Sequence, residues 1–87
     1  MQLTRHAIEK CLAYGIDAQL LLMACNRGER LIDLRHGETV IQVFTFQSRP
    51  WVAVVNPLSD TVITVYPTDL RTIRSRRSSG RWRTTHP

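Results

Sequence analysis

The apolar residues of this chain change their spacing once, near Arg27–Arg30, and that change restricts the fold class more than any other feature. Before it, Ala7, Ile8, Cys11 and Tyr14 recur on one side of a helical wheel, with Leu12 at the edge of the stripe. Thr4 is placed to cap this helix and Gly15 to stop it after about Tyr14, because glycine readily takes the left-handed turn that closes helices. Asp17 then caps a second helix through Asn26. That helix is apolar nearly all round at Leu20-Leu21-Leu22-Met23-Ala24-Cys25, which predicts burial on more than one side, under a sheet or against a second subunit.

After Arg30 the spacing becomes that of strands. Arg30–His36 and Thr39–Gln47 are separated by a turn at Gly37-Glu38, Arg49-Pro50 breaks the second strand, and Trp51–Val55 forms a third. Asn56-Pro57-Leu58-Ser59-Asp60 has turn chemistry, and Thr61–Tyr66 is a last strand ended by Pro67. Two helices followed by four strands on short links predict an α+β domain with a four-stranded antiparallel sheet. The strand carrying Phe44 and Phe46 on one side has Ile41 and Val43 on the other, so both faces of the sheet should be covered.

Charge divides the chain differently. Residues 1–68 hold six of the twelve Lys/Arg and six of the seven Asp/Glu, whereas residues 69–87 hold six arginines and one acid and so carry the whole net +5. The expected organisation is a single α+β domain over 1–68 with a basic C-terminal extension over 69–87. Within the extension, Asp69 is positioned to cap a short helix bearing Leu70 and Ile73, ended by Ser78-Ser79-Gly80. An arginine-rich end on a neutral body points to a polyanionic partner. Arg71, Arg74, Arg76, Arg77, Arg81 and Arg83 supply forks that match phosphate oxygens in pairs, and Trp82 between two arginines has the composition of a base-stacking site, worth about 1–3 kcal/mol per base. The same residues equally suit docking on an acidic protein.

Candidate catalytic groups are His6, Arg35 and Tyr66. Histidine changes charge near neutrality, and His6 shares the polar side of the first helix with Glu9 and Lys10. Metal-independent RNA cleavage needs a base for the 2′-hydroxyl, a cation for the phosphate and an acid for the leaving oxygen. His6 or Tyr66 with Arg27, Arg30 or Arg35 fill those roles if the fold brings them together; a surface histidine and a cross-strand Asp33–Arg35 pair are the plainer alternative. His36 and His86 have weaker claims. Cys11 and Cys25 stand at no metal-binding spacing and read as two reduced, buried thiols. No phosphate-cradling glycine loop or nucleophile elbow is present, so no cofactor or metal is expected. The longest apolar run, Leu20–Cys25, falls far short of the ~20 residues of a membrane span, and no signal pattern opens the chain; a cytoplasmic, non-membrane protein is expected.

The stretch Thr4-Arg5-His6-Ala7-Ile8-Glu9-Lys10, then Tyr14-Gly15-Ile16-Asp17, resembles the opening of a small bacterial and phage domain of the DUF4258-like family, with a Thr-x-His-Ala-x-x-Arg start. Val62-Ile63-Thr64-Val65-Tyr66-Pro67 resembles its closing strand. The order of elements is also similar to the RelE, BrnT and barnase-like toxin folds. The resemblance, over Thr4 to Pro67, marks His6, Thr64 and Tyr66 and implies a toxin-like domain that binds RNA and cleaves it without metal. Lys10 and Tyr14 depart from it, since arginine is usual at both places. The alternatives are a non-catalytic module that binds nucleic acid or one that inhibits a host protein, in either case with a homodimer as a possible assembly.

Overall fold

Three side-chain oxygens start the three helices of the computed structural model, which describes residues 1–35 and 37–85. Thr4 Oγ1 accepts from the Ala7 N–H at the head of α1 (Arg5–Ala13), at 3.2 Å. Asp17 Oδ1 accepts from the Gln19 and Leu20 N–H groups of α2 (Ala18–Asn26). Asp69 Oδ1 accepts from the Thr72 N–H of α3 (Leu70–Ser78) at 2.7 Å. Each satisfies N–H groups that a helix start leaves without an internal partner. Gly15 and Gly80 follow α1 and α3 at φ values of 69° and 81°, which an L side chain resists.

The strands are β1 (Gln2–Leu3), β2 (Glu29–Asp33), β3 (Thr39–Phe46), β4 (Arg49–Asn56), β5 (Thr61–Pro67) and β6 (Trp82–Thr84). They form one six-stranded sheet in the order β1-β5-β4-β3-β2-β6. Strands β2 to β5 are the expected antiparallel meander, but the sheet is larger and mixed: β1 runs parallel to β5, and β6 pairs antiparallel with β2. Strands of two and three residues carry no readable alternation, so only tertiary pairing defines them.

Several strand ends also differ from expectation, most clearly at the β3–β4 reversal and at the end of β2. The β3–β4 reversal lies at Gln47-Ser48, both left-handed with φ of 54° and 60°, and Pro50 is already paired with Thr45 inside β4. A two-residue hairpin needs those dihedrals to follow the strand twist, whatever residues occupy it. Strand β2 ends at Asp33 because the Asp33 carboxylate accepts the Arg35 N–H at 3.0 Å and folds the chain into a turn; the expected continuation to His36 reaches outside the described residues. The turn at 56–60 forms as its chemistry implies, with Asn56 Oδ1 accepting from the Leu58 and Ser59 N–H groups.

Side chains alternate across the pleat into two cores. Phe44, Trp51, Ala53, Val55, Val62 and Val65 meet Ala7 and Cys11 of α1 and Leu21 and Cys25 of α2. On the opposite face Leu31, Ile41 and Val52 meet Trp82, with Val43, Val54, Tyr66 and Ile73 of α3 packed around them. Burying each of Leu31, Ile41 and Val52 is worth about 1.5–3 kcal/mol. The segment expected to extend from the domain therefore covers one face of its sheet through α3 and closes one edge through β6. The apolar α2 is covered on one side only: Leu20 and Met23 remain 56% and 55% exposed. Both thiols are free and buried, and burial pushes the Cys25 thiol up to about 11, which makes it a poor nucleophile. Among the described residues no helix is long and apolar enough to cross a membrane.

Gly28 joins α2 to β2 where the backbone of β3 runs closest. A methyl group there would come within 2.5 Å of Val43 O and 2.8 Å of Phe44 Cβ. Gly28→Ala should lower the unfolding free energy by about 1–3 kcal/mol, read from the urea midpoint; an unchanged midpoint would mean β3 yields freely at this contact.

Candidate nucleic-acid interface

The last strand is tethered by Asp33, whose carboxylate pairs with the Arg81 guanidinium and not with the Arg35 side chain expected beside it, because Arg35 lies past the end of β2 and meets Asp33 only through its backbone N–H. Strand alternation puts Glu29, Leu31 and Asp33 on the α3 side of the sheet, and Asp33 is only 9% exposed. Its Oδ1 accepts Arg81 Nε at 3.0 Å and its Oδ2 accepts Arg81 Nη2 at 3.1 Å, a forked pair. Oδ2 also accepts the Trp82 indole N–H at 3.1 Å, and Oδ1 the Arg35 backbone N–H. Burial pushes the Asp33 carboxyl up, but the Arg81 hydrogen bonds, then those from Arg35 and Trp82, outweigh it and hold the group at about 2. The same contact raises the affinity of Arg81 for its proton.

The other arginines divide by environment. Arg77 Nη1 donates to Glu29 Oε1 at 2.6 Å and ties α3 to β2. The Arg76 guanidinium lies 5.3 Å from the centroid of the Trp82 ring, and Arg83 Nε donates to Gly80 O at 3.3 Å. Arg71 and Arg74 are exposed, and among the described residues neither forms an ion pair within 4.0 Å of a carboxylate. Asp69, which caps the helix, lies near enough to Arg71 to feel its charge. At 100° per residue, Arg71, Arg74, Ser75 and Ser78 fall within an arc of about 100°, and all four are exposed. Thr72, Ile73 and Arg76 occupy the opposite arc and are half-buried. The outer side of α3 thus presents two guanidinium forks and two hydroxyls, all donors to a phosphate oxygen.

Trp82 requires a correction. Its ring is 3% exposed, with Arg76 across one face and its N–H committed to Asp33, so it offers no surface on which an unpaired base could stack. The indole packs inward because Trp82 and Asp33 are directly paired across β6 and β2, which places them on one face of the sheet.

His6, Arg35 and Tyr66 are not brought together. His6 is exposed on α1, which lies on one face of the sheet, while Tyr66 packs against the core of the other. Arg35 is exposed past the end of β2, and β3 and β4 stand between β2 and β5. Arg30 is occupied by Gln42 Oε1 at 3.2 Å. His36 and His86 lie outside the described residues. Among those described, no group of three His, Cys, Asp or Glu is placed to hold a metal ion. Of the two acids that seat the arginine segment, Glu29 was not legible and Asp33 was legible only as a partner for Arg35; the arginine it holds is 48 residues away.

Comparison with family models, with curated proteins and with solved structures finds no match to this chain.

The folded carboxyl of Asp33 lies below its ordinary value of 3.8, so its contribution is complete above about pH 4 and is lost as the pH falls through about 2. Urea unfolding across that window should show a loss of about 2 kcal/mol that Asp33→Asn removes. Arg81→Ala should cost about 3 kcal/mol at neutral pH, because it strands a buried carboxylate. Arg71→Ala and Arg74→Ala should stay within about 0.5 kcal/mol of the parent; a comparable loss at either would show that it too is structural.

Proposed function

We propose that this protein is a nucleic-acid-binding module, with RNA the favoured ligand, and that it holds phosphates on the outer side of α3. The observation that carries the proposal is the composition of that helical face: Arg71, Arg74, Ser75 and Ser78 are exposed, while Arg77 and Arg81 are consumed in seating the helix and strand on the sheet. A guanidinium matches a phosphate with two parallel hydrogen bonds, and a serine hydroxyl adds a short-range donor. Because the segment is anchored through Glu29 and Asp33, its donors are preorganised before any ligand arrives. The resemblance to RNA-cleaving toxins favours RNA. Binding without cleavage is preferred to the nuclease because His6 and Tyr66 lie on opposite faces of the sheet.

Binding of a labelled RNA followed by fluorescence anisotropy should weaken steeply with salt, as expected where each neutralised phosphate contributes a slope of about −0.7 to −0.9 in log K against log salt. Replacing Arg71 and Arg74 together with alanine should reduce the slope by about 2. An unchanged slope would reject α3 as the interface. RNA incubated with the protein in EDTA should stay intact; shortening that His6→Ala abolishes would restore the nuclease.

A further inference from the structure

Resting on the reading of α3 as a phosphate-binding face, we infer that the ligand it fits is a duplex, gripped by its sugar–phosphate backbone without regard to sequence, and not an unpaired strand. Proteins that hold single strands combine a basic track with exposed aromatic rings, because stacking compensates for ordering a flexible chain. This chain has two Trp, two Tyr and two Phe, and each can be placed. Trp82 is buried beneath Arg76, and Tyr66 packs half-buried into the sheet core under α3. Trp51 and Phe44 are buried under α1 and α2. Tyr14 and Phe46 stand edge-on to Trp51 with centroids 5.3 Å and 6.4 Å from it, on that same helical side. None of the six rings is an exposed neighbour of Arg71 and Arg74.

The donors that remain suit a surface that is already ordered. Arg71 and Arg74 lie about 4.5 Å apart along the helix axis on adjoining turns. Ser75 and Ser78 have short side chains, so their hydroxyls reach only a group lying flush against the helix. A backbone on the surface of a duplex meets that condition; a splayed base does not. The helix is docked on the sheet through Ile73 and the half-exposed Arg77–Glu29 pair, and the strand after it through Arg81 and Asp33, so its backbone is in place before a ligand arrives. A duplex brings an equally fixed row of phosphates, and two preorganised surfaces join with little ordering cost. Asn and Gln, which read adenine edges, are missing from the outer arc of α3. Recognition then rests on backbone shape and charge, as in other sequence-indifferent binding to double-stranded nucleic acid.

The experiment uses the full-length protein and three labelled probes of equal length: an RNA duplex, a DNA duplex and an unstructured uridine-rich strand, each titrated at about 50 and 200 mM salt. One or both duplexes should bind at least about tenfold more tightly than the strand, roughly the worth of one missing stacked base. The two duplex arms show whether RNA, DNA or both are accepted. The Arg71→Ala/Arg74→Ala protein, with its thermal unfolding unchanged, should lose that preference. Equal or tighter binding of the strand would overturn the duplex assignment while leaving phosphate binding in place. Failure to bind any of the three probes at low salt would overturn the phosphate-binding face itself.

Discussion

A buried carboxylate next to the edge of the sheet, Asp33, organises the C-terminal part of this molecule. It accepts the forked Arg81 guanidinium, the Trp82 indole and the Arg35 backbone N–H. An uncompensated charge at such a site would cost several kcal/mol, so the carboxylate and its donors are held together. With Arg81 held there, Trp82 lies in the second core and β6 pairs with β2. The helix before it packs over the same cluster through Ile73.

The same contact divides the arginines between two tasks. Arg77 and Arg81 neutralise Glu29 and Asp33, and Arg76 lies over Trp82. What they leave is an outer helical face whose formal charges come from Arg71 and Arg74. The positive charge of α3 is therefore a surface with a definite orientation, not a loose appendage. The α1 and α2 side differs: Leu12, Leu20 and Met23 stand exposed there, and α2 carries no charged residue between its caps.

Much of the local structure was legible because it depends on neighbours in sequence. Thr4, Asp17 and Asp69 cap helices because a short side-chain oxygen reaches N–H groups two or three residues on. Asn56 shapes its turn in the same way. Phe44 and Ile41 fall on opposite faces because the strand period is two, and this also indicated a sheet covered on both sides. The hairpin at Gln47-Ser48 is not legible in its residues because neither is a habitual left-handed one; strand pairing imposes their dihedrals. Of the expected site, the arginines of α3 were legible as a class, but not which of them would be consumed by the fold.

By itself, the sequence determined the helix starts and stops, the antiparallel centre of the sheet and the concentration of arginine after Thr68, all properties of residues close together in the chain. Only the tertiary structure decided that β1 and β6 would extend the sheet, that Trp82 would face inward, and that His6 and Tyr66 would lie on opposite sides. Those outcomes depend on pairings such as Asp33 with Arg81, separated by 48 residues, where the gain comes from satisfying a buried charge and leaves no periodic trace in the sequence.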